Sequence, residues 1–196
     1  QYIVVERAEG VIVADEVLKL SESGERLPEL EMLVVLDRLL DLLYSAHSKD
    51  IVYNDVDAKH LFWNRETYRL KVIDWGNAVF MQGDDVTATG ISKQSDIYQV
   101  GELMYFILTG GGRPEVPRDA PDEWSPDFKE DNERIQPRLR MIVARALHPR
   151  PARRYQYLVE LQRALTEYRL PFERERDGLL SRSRDRLKNN LSKNDL

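Results

Sequence analysis

Four residues in the first half of the chain could do chemistry together, because they combine carboxylates with an imidazole: Asp55, Asp57, His60 and Asp74. A carboxylate can accept the proton of a hydroxyl group, which is a poor nucleophile until that proton has somewhere to go. As metal ligands, carboxylates mixed with an imidazole suit manganese, iron or zinc better than magnesium. These residue types therefore indicate either proton transfer from a hydroxyl or a metal site such as a hydrolase uses.

Each of the four residues also has an ordinary structural explanation. A loop aspartate after a strand often caps backbone N–H groups, which would account for Asp55. Asp57 would be a solvated loop charge and His60 a buried, hydrogen-bonded core histidine. Asp74 begins an Asp-x-Gly turn between a strand and a loop, which Gly76 alone would explain. For Asp57 and His60 we favour these structural roles over a new catalytic one.

The elements that must position these residues are a long helix and several short strands. Apolar residues at helical spacing predict a helix from Leu27 to about Ser48, with Pro28 in its first turn. A short strand is predicted at Ile51 to Tyr53. Two more, at His60 to Trp63 and at residues 69 to 74, are separated by a turn and predict a β-hairpin beside the helix.

The second half of the chain is predicted to be mainly helical. The segment "SDIYQVGELMYFILTG", residues 95 to 110, is apolar on nearly every side, which indicates a central buried helix with Ser95 as N-cap. Two further helices are predicted, at Glu133 to Leu147 and at Tyr155 to Tyr168. The stretch from Gly76 to Gly90 reads as a loop.

Composition and charge limit the classes of protein to which this chain can belong. The chain has 196 residues, of which 42% are apolar, enough for one globular domain with or without an appendage. A net charge of −5 argues against nucleic acid or an anionic membrane as partner, and no apolar run is long enough to cross a bilayer. The absence of cysteine fits a reducing compartment, so we expect a cytoplasmic protein. The opening "QYIVVE" reads as the middle of a strand, so we also expect an upstream portion.

The order of these elements resembles the C-terminal lobe of the protein-kinase superfamily, from Tyr2 to about Arg169. Five motifs carry the resemblance. "YIVVERAEG" resembles the hinge strand, "AHSKDIVYND" the catalytic loop and "LKVIDWGNA" the Asp-Phe-Gly turn. "SDIYQVGELMYFILTG" resembles the central helix and "RALHPRPARRYQ" the closing arginine motif. The resemblance implies an α+β, mainly helical fold: a kinase-like C-lobe with small β-hairpins, the N-lobe being absent from the chain.

The same resemblance implies a division of the chain and a nucleotide site. Residues 1–9 would be the hinge strand and connector, residues 10–170 the C-lobe, and residues 171–196 a charged helical tail or a linker to a further domain. Glu6 and Ala8 would hold the adenine. Because the family's phosphate-binding loop and lysine lie upstream of the hinge, ATP and Mg²⁺ are expected only together with an N-lobe, and otherwise no cofactor.

By resemblance, Asp55 is the catalytic aspartate and Asp74 the main metal ligand. His60 stands where the family has a metal-binding asparagine, so it is the second metal-ligand candidate although imidazole is a poor ligand for Mg²⁺. Asp57 replaces a lysine near the transferred phosphate. A unit charge about 4 Å from a phosphate oxygen would repel it by about 4 kcal/mol at an effective dielectric near 20.

Further differences between this chain and the kinase family concern regulation. Tyr53 and Asn54 replace the His-Arg of the family's catalytic loop, so control by activation-loop phosphorylation is not expected. The Ala-Pro-Glu motif is missing as well. Its glutamate would pair with the arginine that matches Arg154, which is therefore expected to find another carboxylate or solvent.

These observations leave three hypotheses. The first, which we favour, is a pseudokinase that serves as a regulatory or interaction module, with protein partners and an N-lobe or adjoining domain upstream. The second is a divergent ATP-dependent protein kinase that uses Asp55 as base and Asp74 as metal ligand. The third is a metal-dependent hydrolase.

Overall fold

The computed structural model describes residues 7–81 and 90–171. Within them the chain combines helices with short antiparallel strands, in agreement with the predicted α+β class. The α-helices are α1 (Val13–Glu22), α2 (Glu29–His47), α3 (Lys93–Leu108), α4 (Pro137–Ala146) and α5 (158–171). The strands are β1 (Val11–Ile12), β2 (Ile51–Val52), β3 (Leu61–Asn64), β4 (Arg69–Val72) and β5 (Val79–Phe80).

Two small sheets flank the segment that carries the candidate residues. The predicted hairpin is present as β3 and β4, with Leu61 opposite Val72, and β1 pairs with the other edge of β3. Gly10 leads into β1 with a φ of +113°, and a Cβ there would lie 2.4 Å from the Trp63 carbonyl oxygen, so the chain needs glycine at this junction. β2 and β5 form a separate antiparallel pair.

The hydrophobic core lies between α2 and α3. Ile97 and Met104 on α3 have no exposed surface, and neither has Leu36 on α2, so α3 is the central buried helix that the sequence predicts. α4 packs closely on α3 at Gly101, where a Cβ would lie 3.0 Å from the Cβ of Ala146. This close approach requires the smallest residue on the face of α3 that meets α4.

Four predicted helix starts differ from the structure. α2 begins at Glu29 with Pro28 as its N-cap, and α5 begins at residue 158 instead of Tyr155. α3 begins at Lys93 with Ser92 as its N-cap, whereas Ser95 is the third helical residue and its Oγ accepts the Ser92 N–H at 3.1 Å. This is a capping box, in which two hydroxyl residues share the cap. α4 begins at Pro137, not at Glu133, because proline suits the first helical position and lacks the N–H that an interior position would need.

The loop predicted from Gly76 to Gly90 contains strand β5. Its two residues pair with β2, and the Met81 N–H donates to the Asp50 carbonyl at 2.7 Å just beyond the pair. A strand of two residues is too short to show an alternating apolar pattern, so sequence periodicity could not reveal it.

Some predictions lie outside the described residues. They are the hinge strand at the start of the chain, including Glu6, and the tail beyond residue 171. In the parts that the structure describes, no helix combines the length and the apolar character that a membrane crossing requires.

Candidate functional site

A buried carboxylate on α3 holds the loop that carries Asp55. Asp96 has no exposed surface; its Oδ2 accepts the Tyr53 N–H at 3.0 Å, and its Oδ1 accepts the Asn54 N–H at 2.7 Å. The Nε2 of His47, the last residue of α2, lies 2.7 Å from Asp96 Oδ2. Since charged acceptors make strong hydrogen bonds in a buried setting, Asp96 fixes the backbone directly before Asp55.

Gln99, one turn further along α3, binds the other side of the same loop. Its Oε1 accepts the Val56 N–H at 3.0 Å, and its Nε2 donates to the Asn54 carbonyl at 3.2 Å. Asn54 has a φ of +58°, a left-handed conformation that asparagine tolerates better than most residues. The two contacts leave Asp55 at the centre of a loop whose neighbours on both sides are fixed to α3.

The turn that carries Asp74 is tied to this loop by Tyr53. The Tyr53 hydroxyl donates to the Ile73 carbonyl at 2.6 Å, and its ring lies 4.7 Å from the Trp75 ring, centroid to centroid. Burial, and then the nearby carboxylates led by Asp55, raise the pKa of Tyr53, so its hydroxyl keeps its proton and remains a donor. The backbone of Asp74 is in the left-handed conformation, with a φ of +59°.

The structure brings Asp55, His60 and Asp74 together. His60 is 7% exposed, and its Nδ1 lies 3.1 Å from the Asp55 carbonyl oxygen and 3.6 Å from Asp55 Oδ2. Its Nε2 lies 3.8 Å from Asp74 Oδ2. One ligand atom from each residue falls within 4.8 Å of the others, so the three side chains could share a single ion.

Asn77 is a member of the site that sequence reasoning missed. Its Nδ2 donates to Asp55 Oδ2 at 3.0 Å and so orients the carboxylate. Asn77 follows the "DWG" letters directly, and this position in a motif that was already recognised was the available signal. Gln99 was missed too, since nothing in its sequence context distinguishes it from other polar residues of α3.

Asp57 does not join the cluster. Its Oδ1 accepts the Lys59 N–H at 3.0 Å, and its Oδ2 pairs with Lys59 Nζ at 3.2 Å. Partial burial acts to raise the pKa of Asp57, but the hydrogen bonds and charge of Lys59 outweigh it, so the pKa lies below its usual value. The carboxylate is both a backbone cap and half of an ion pair, which makes it less repulsive to a phosphate than a free charge would be.

Arg154 is half-buried and makes no ion pair with a carboxylate in the part of the chain that the structure describes, so of the two partners expected for it only solvent is compatible with the structure. Among the described residues its guanidinium donates to three backbone carbonyls, those of His148, Pro149 and Gln94, at 2.7, 3.2 and 3.3 Å. It also stacks over the Tyr98 ring, 4.5 Å from the centroid. Burial lowers the pKa of Arg154, and carbonyl dipoles with an aromatic face take the place of the missing glutamate.

The adenine-binding roles of Glu6 and Ala8 stay predictions. Glu6 lies outside the described residues. Ala8 is half-buried, next to Arg7, whose carbonyl accepts from Lys71 Nζ on β4 at 3.3 Å. This contact fastens the chain entering β1 to the hairpin that leads to Asp74.

A groove of about 380 Å³ opens beside the Asp55 loop. It is lined by Asp57, Glu102 and Arg113 together with apolar side chains of α3. Burial raises the pKa of Glu102, although Arg113 and Arg154 act in the opposite direction. The groove therefore presents one carboxylate paired with Lys59 and another that burial disfavours in its charged form.

Comparison with known proteins points to one group of enzymes. A serine/threonine-protein kinase PknB of Mycolicibacterium smegmatis is 26% identical over 191 residues, covering 82% of this chain and 29% of that protein. A serine/threonine-protein kinase PrkC of Bacillus subtilis is 22% identical over 189 residues, with 82% and 28% covered. A calcium-dependent protein kinase 5 of Plasmodium falciparum is 24% identical over 126 residues, with 56% and 22% covered.

The similarity supports a protein kinase-like relationship. No protein-family model matches the chain. The alignments span less than a third of the length of these relatives. The relationship therefore covers much of this chain but only a minor part of each relative.

Proposed function

We propose that this is a kinase-like domain in which phosphoryl transfer is lost or weakened and which acts as a regulatory or interaction module in the cytoplasm. The observation that carries the proposal is His60. It stands five residues after Asp55, and its Nε2 faces Asp74 across 3.8 Å. Mg²⁺ requires oxygen ligands in a tight octahedron, so an imidazole in this place does not fit the ion that kinases use with ATP.

Asp57 supports the proposal less than the sequence suggested. Because Lys59 pairs with it, the local charge near the expected phosphate position is partly neutralised, and the repulsion falls below the value for a free carboxylate. The proposed loss of phosphoryl transfer therefore depends on the metal ligands and not on repulsion of the phosphate.

Exposed apolar side chains next to the site support the interaction role. Ile73 and Trp75 are each 40% exposed, and Phe80 is 78% exposed. Large apolar side chains in contact with water are typical of surfaces that another protein or domain covers. We therefore propose a protein partner at this face, such as an N-lobe or an adjoining domain, and neither nucleic acid nor a membrane.

The decisive experiment is a thermal-shift titration of the full-length protein with ATP, in the presence and absence of Mg²⁺ and Mn²⁺. We expect ATP to cause no increase in Tm beyond that produced by the same metal ion without ATP. An increase of about 5 °C or more at saturating nucleotide would contradict the proposal, since ligand binding to the native state alone has effects of this size. His60→Asn, which restores the kinase residue, is expected to gain a Mg²⁺-dependent shift, and Asp74→Ala in the same background should remove it.

The second candidate is a divergent kinase with Asp55 as general base and Asp74 as metal ligand. The proximity of these two carboxylates in one cleft favours it. Transfer of the ATP γ-phosphate to a protein substrate by the full-length wild-type protein, abolished by Asp74→Ala, would establish this function and exclude the first proposal. The metal-dependent hydrolase is a third candidate, and it requires a stoichiometric transition metal as well as hydrolysis that depends on that metal.

A further inference from the structure

The hydrogen bond of His60 determines which of its nitrogens is free. Nδ1 lies 3.1 Å from the Asp55 carbonyl oxygen, and a carbonyl can only accept, so Nδ1 carries a proton. In the neutral ring Nε2 then holds the lone pair. This nitrogen faces Asp74 Oδ2 at 3.8 Å, which is beyond hydrogen-bond distance and leaves room for an ion between the two atoms.

The surroundings resemble those of a metal-binding histidine. Such histidines generally donate their second ring N–H to a carbonyl or carboxylate, which fixes the ring and the tautomer, and Asp55 O does this for His60. Asn77 does the same for the Asp55 carboxylate by donating to Oδ2 at 3.0 Å. Two of the three candidate ligands are thus already oriented by neighbouring groups.

The spacing needs only a small adjustment. Adjacent ligands of an ion with bonds of about 2.1 Å lie about 3.0 Å apart in an octahedron and about 3.4 Å apart in a tetrahedron. His60 Nε2 lies 3.8 Å from Asp74 Oδ2, and one ligand atom from each of the three residues lies within 4.8 Å of the others. The Asp74 side chain is 58% exposed and can move, whereas that of His60 is 8% exposed and is held in place.

We propose that Asp55, His60 and Asp74 bind one divalent transition-metal ion of the Mn²⁺ to Zn²⁺ class, in preference to Mg²⁺ and without nucleotide. One imidazole with two carboxylates suits these ions, whereas Mg²⁺ is reluctant to take nitrogen. The inference deepens the proposed function by explaining what replaces magnesium in the cleft. Its test contains no ATP, so its failure leaves the proposal on phosphoryl transfer standing.

The test is calorimetric titration of the metal-free chain with ZnCl₂, MnCl₂ and MgCl₂. We expect one Zn²⁺ per chain, and an affinity for Mg²⁺ at least about tenfold weaker. His60→Asn should weaken Zn²⁺ binding at least about tenfold without weakening Mg²⁺ binding, because the amide oxygen replaces an imidazole nitrogen. Asp74→Asn should weaken the binding of both ions.

Asp50→Asn is the matched control. Like Asp74, Asp50 has a left-handed backbone conformation, with a φ of +56°, and its side chain is 52% exposed. It pairs with Lys93 and lies outside the cluster. The same change of charge and the same backbone conformation should leave Zn²⁺ affinity within about twofold of wild type, since asparagine tolerates this conformation.

Three results would overturn the inference: Zn²⁺ binding well below one per chain, equal loss of Zn²⁺ affinity in Asp50→Asn and Asp74→Asn, or equal affinity for Zn²⁺ and Mg²⁺. If His60→Asn does not fold, as circular dichroism would show, the ¹⁵N resonances of His60 in the wild-type chain replace it. A shift of Nε2 on addition of Zn²⁺ supports coordination, and a ring that remains protonated on both nitrogens at saturating Zn²⁺ contradicts it.

Discussion

At the scale of single residues, Glu102 shows how burial works against a charge. It lies in the groove beside the Asp55 loop, and its pKa is raised by burial although Arg113 and Arg154 favour the carboxylate. An acid whose pKa is higher in the folded state binds its proton more tightly there. The free energy of unfolding therefore falls as the pH rises from about 4.5, the ordinary value for glutamate, through the raised pKa.

We predict that Glu102→Gln stabilises the protein at neutral pH, raising Tm by about 1–2 °C because the residue is still partly exposed. The difference should vanish near pH 4, where the wild-type carboxyl is protonated in both the folded and the unfolded state. Thermal melts across this pH range measure it. Glu66→Gln, at an exposed position in the turn of the hairpin, is the control and should change Tm little at any pH. Destabilisation of Glu102→Gln at neutral pH would show that attraction to the arginines dominates.

Individual site residues were predictable to the extent that a motif carried them. Asp55, His60 and Asp74 could be placed in one cleft because their order along the chain matches a known arrangement. The pairing of Asp57 with Lys59 could not be predicted, since it depends on the local turn at residues 58–60 and not on strand alternation. Neither could the contact of Asn77 with Asp55, which requires two loops to meet in space.

At the scale of elements, α3 serves the site as much as the core. Its Asp96 accepts hydrogen bonds from two backbone N–H groups and lies against His47 of α2, so it joins a helix end to a loop. Asparagine has the same size but only one acceptor oxygen, and its amide would point N–H groups at other donors. The substitution therefore leaves buried donors without partners.

We predict that Asp96→Asn lowers the free energy of unfolding by about 3 kcal/mol, as removing a charged partner from a buried network does. Urea denaturation followed by circular dichroism measures the loss. Asp15→Asn, at an exposed position on α1, is the control and should stay within about 0.5 kcal/mol of wild type. A change of similar size in both variants would mean that Asp96 has no special role.

Helices and strands were predictable where a pattern of apolar residues extended over many positions. The heavily apolar run of α3 indicates a central helix from sequence alone, and the hairpin follows from its two strands and turn. The start of α3 was predicted too late because Ser92 and Ser95 are both suitable N-cap residues. Only the hydrogen bond from the Ser92 N–H to Ser95 Oγ shows that Ser92 is the N-cap. β5 has two residues and pairs with a strand far away in sequence, so local pattern could not find it.

At the scale of the whole molecule, Arg26 links the two halves of the chain. It precedes α2, and its Nη2 lies 3.2 Å from Asp131 Oδ2 and 3.1 Å from Glu130 Oε1, more than a hundred residues further along the chain. The side chains of Arg26 and Asp131 are 11% and 8% exposed. Arg134 also binds Asp131, at 2.9 Å, and donates to the Leu108 carbonyl at the end of α3.

We predict that Arg26→Ala lowers the free energy of unfolding by about 2 kcal/mol, because it leaves the buried Asp131 with one cation in place of two. Arg38→Ala is the control: it removes an arginine whose pair with Asp41 is 3.9 Å long and exposed, and it should cost at most about 0.5 kcal/mol. Denaturation of both variants in urea measures the difference. Equal losses would show that the link between the halves adds nothing.

The anchoring of the Asp55 loop by Asp96 and Gln99 has a consequence for kinetics. Because its backbone is held by side chains of α3 and not by anything that binds in the cleft, the loop has no rearrangement to complete when a ligand arrives. We therefore expect ligands at Asp55 to associate at rates set by encounter. Tight and weak ligands should then differ in how long they stay bound, which stopped-flow mixing would resolve.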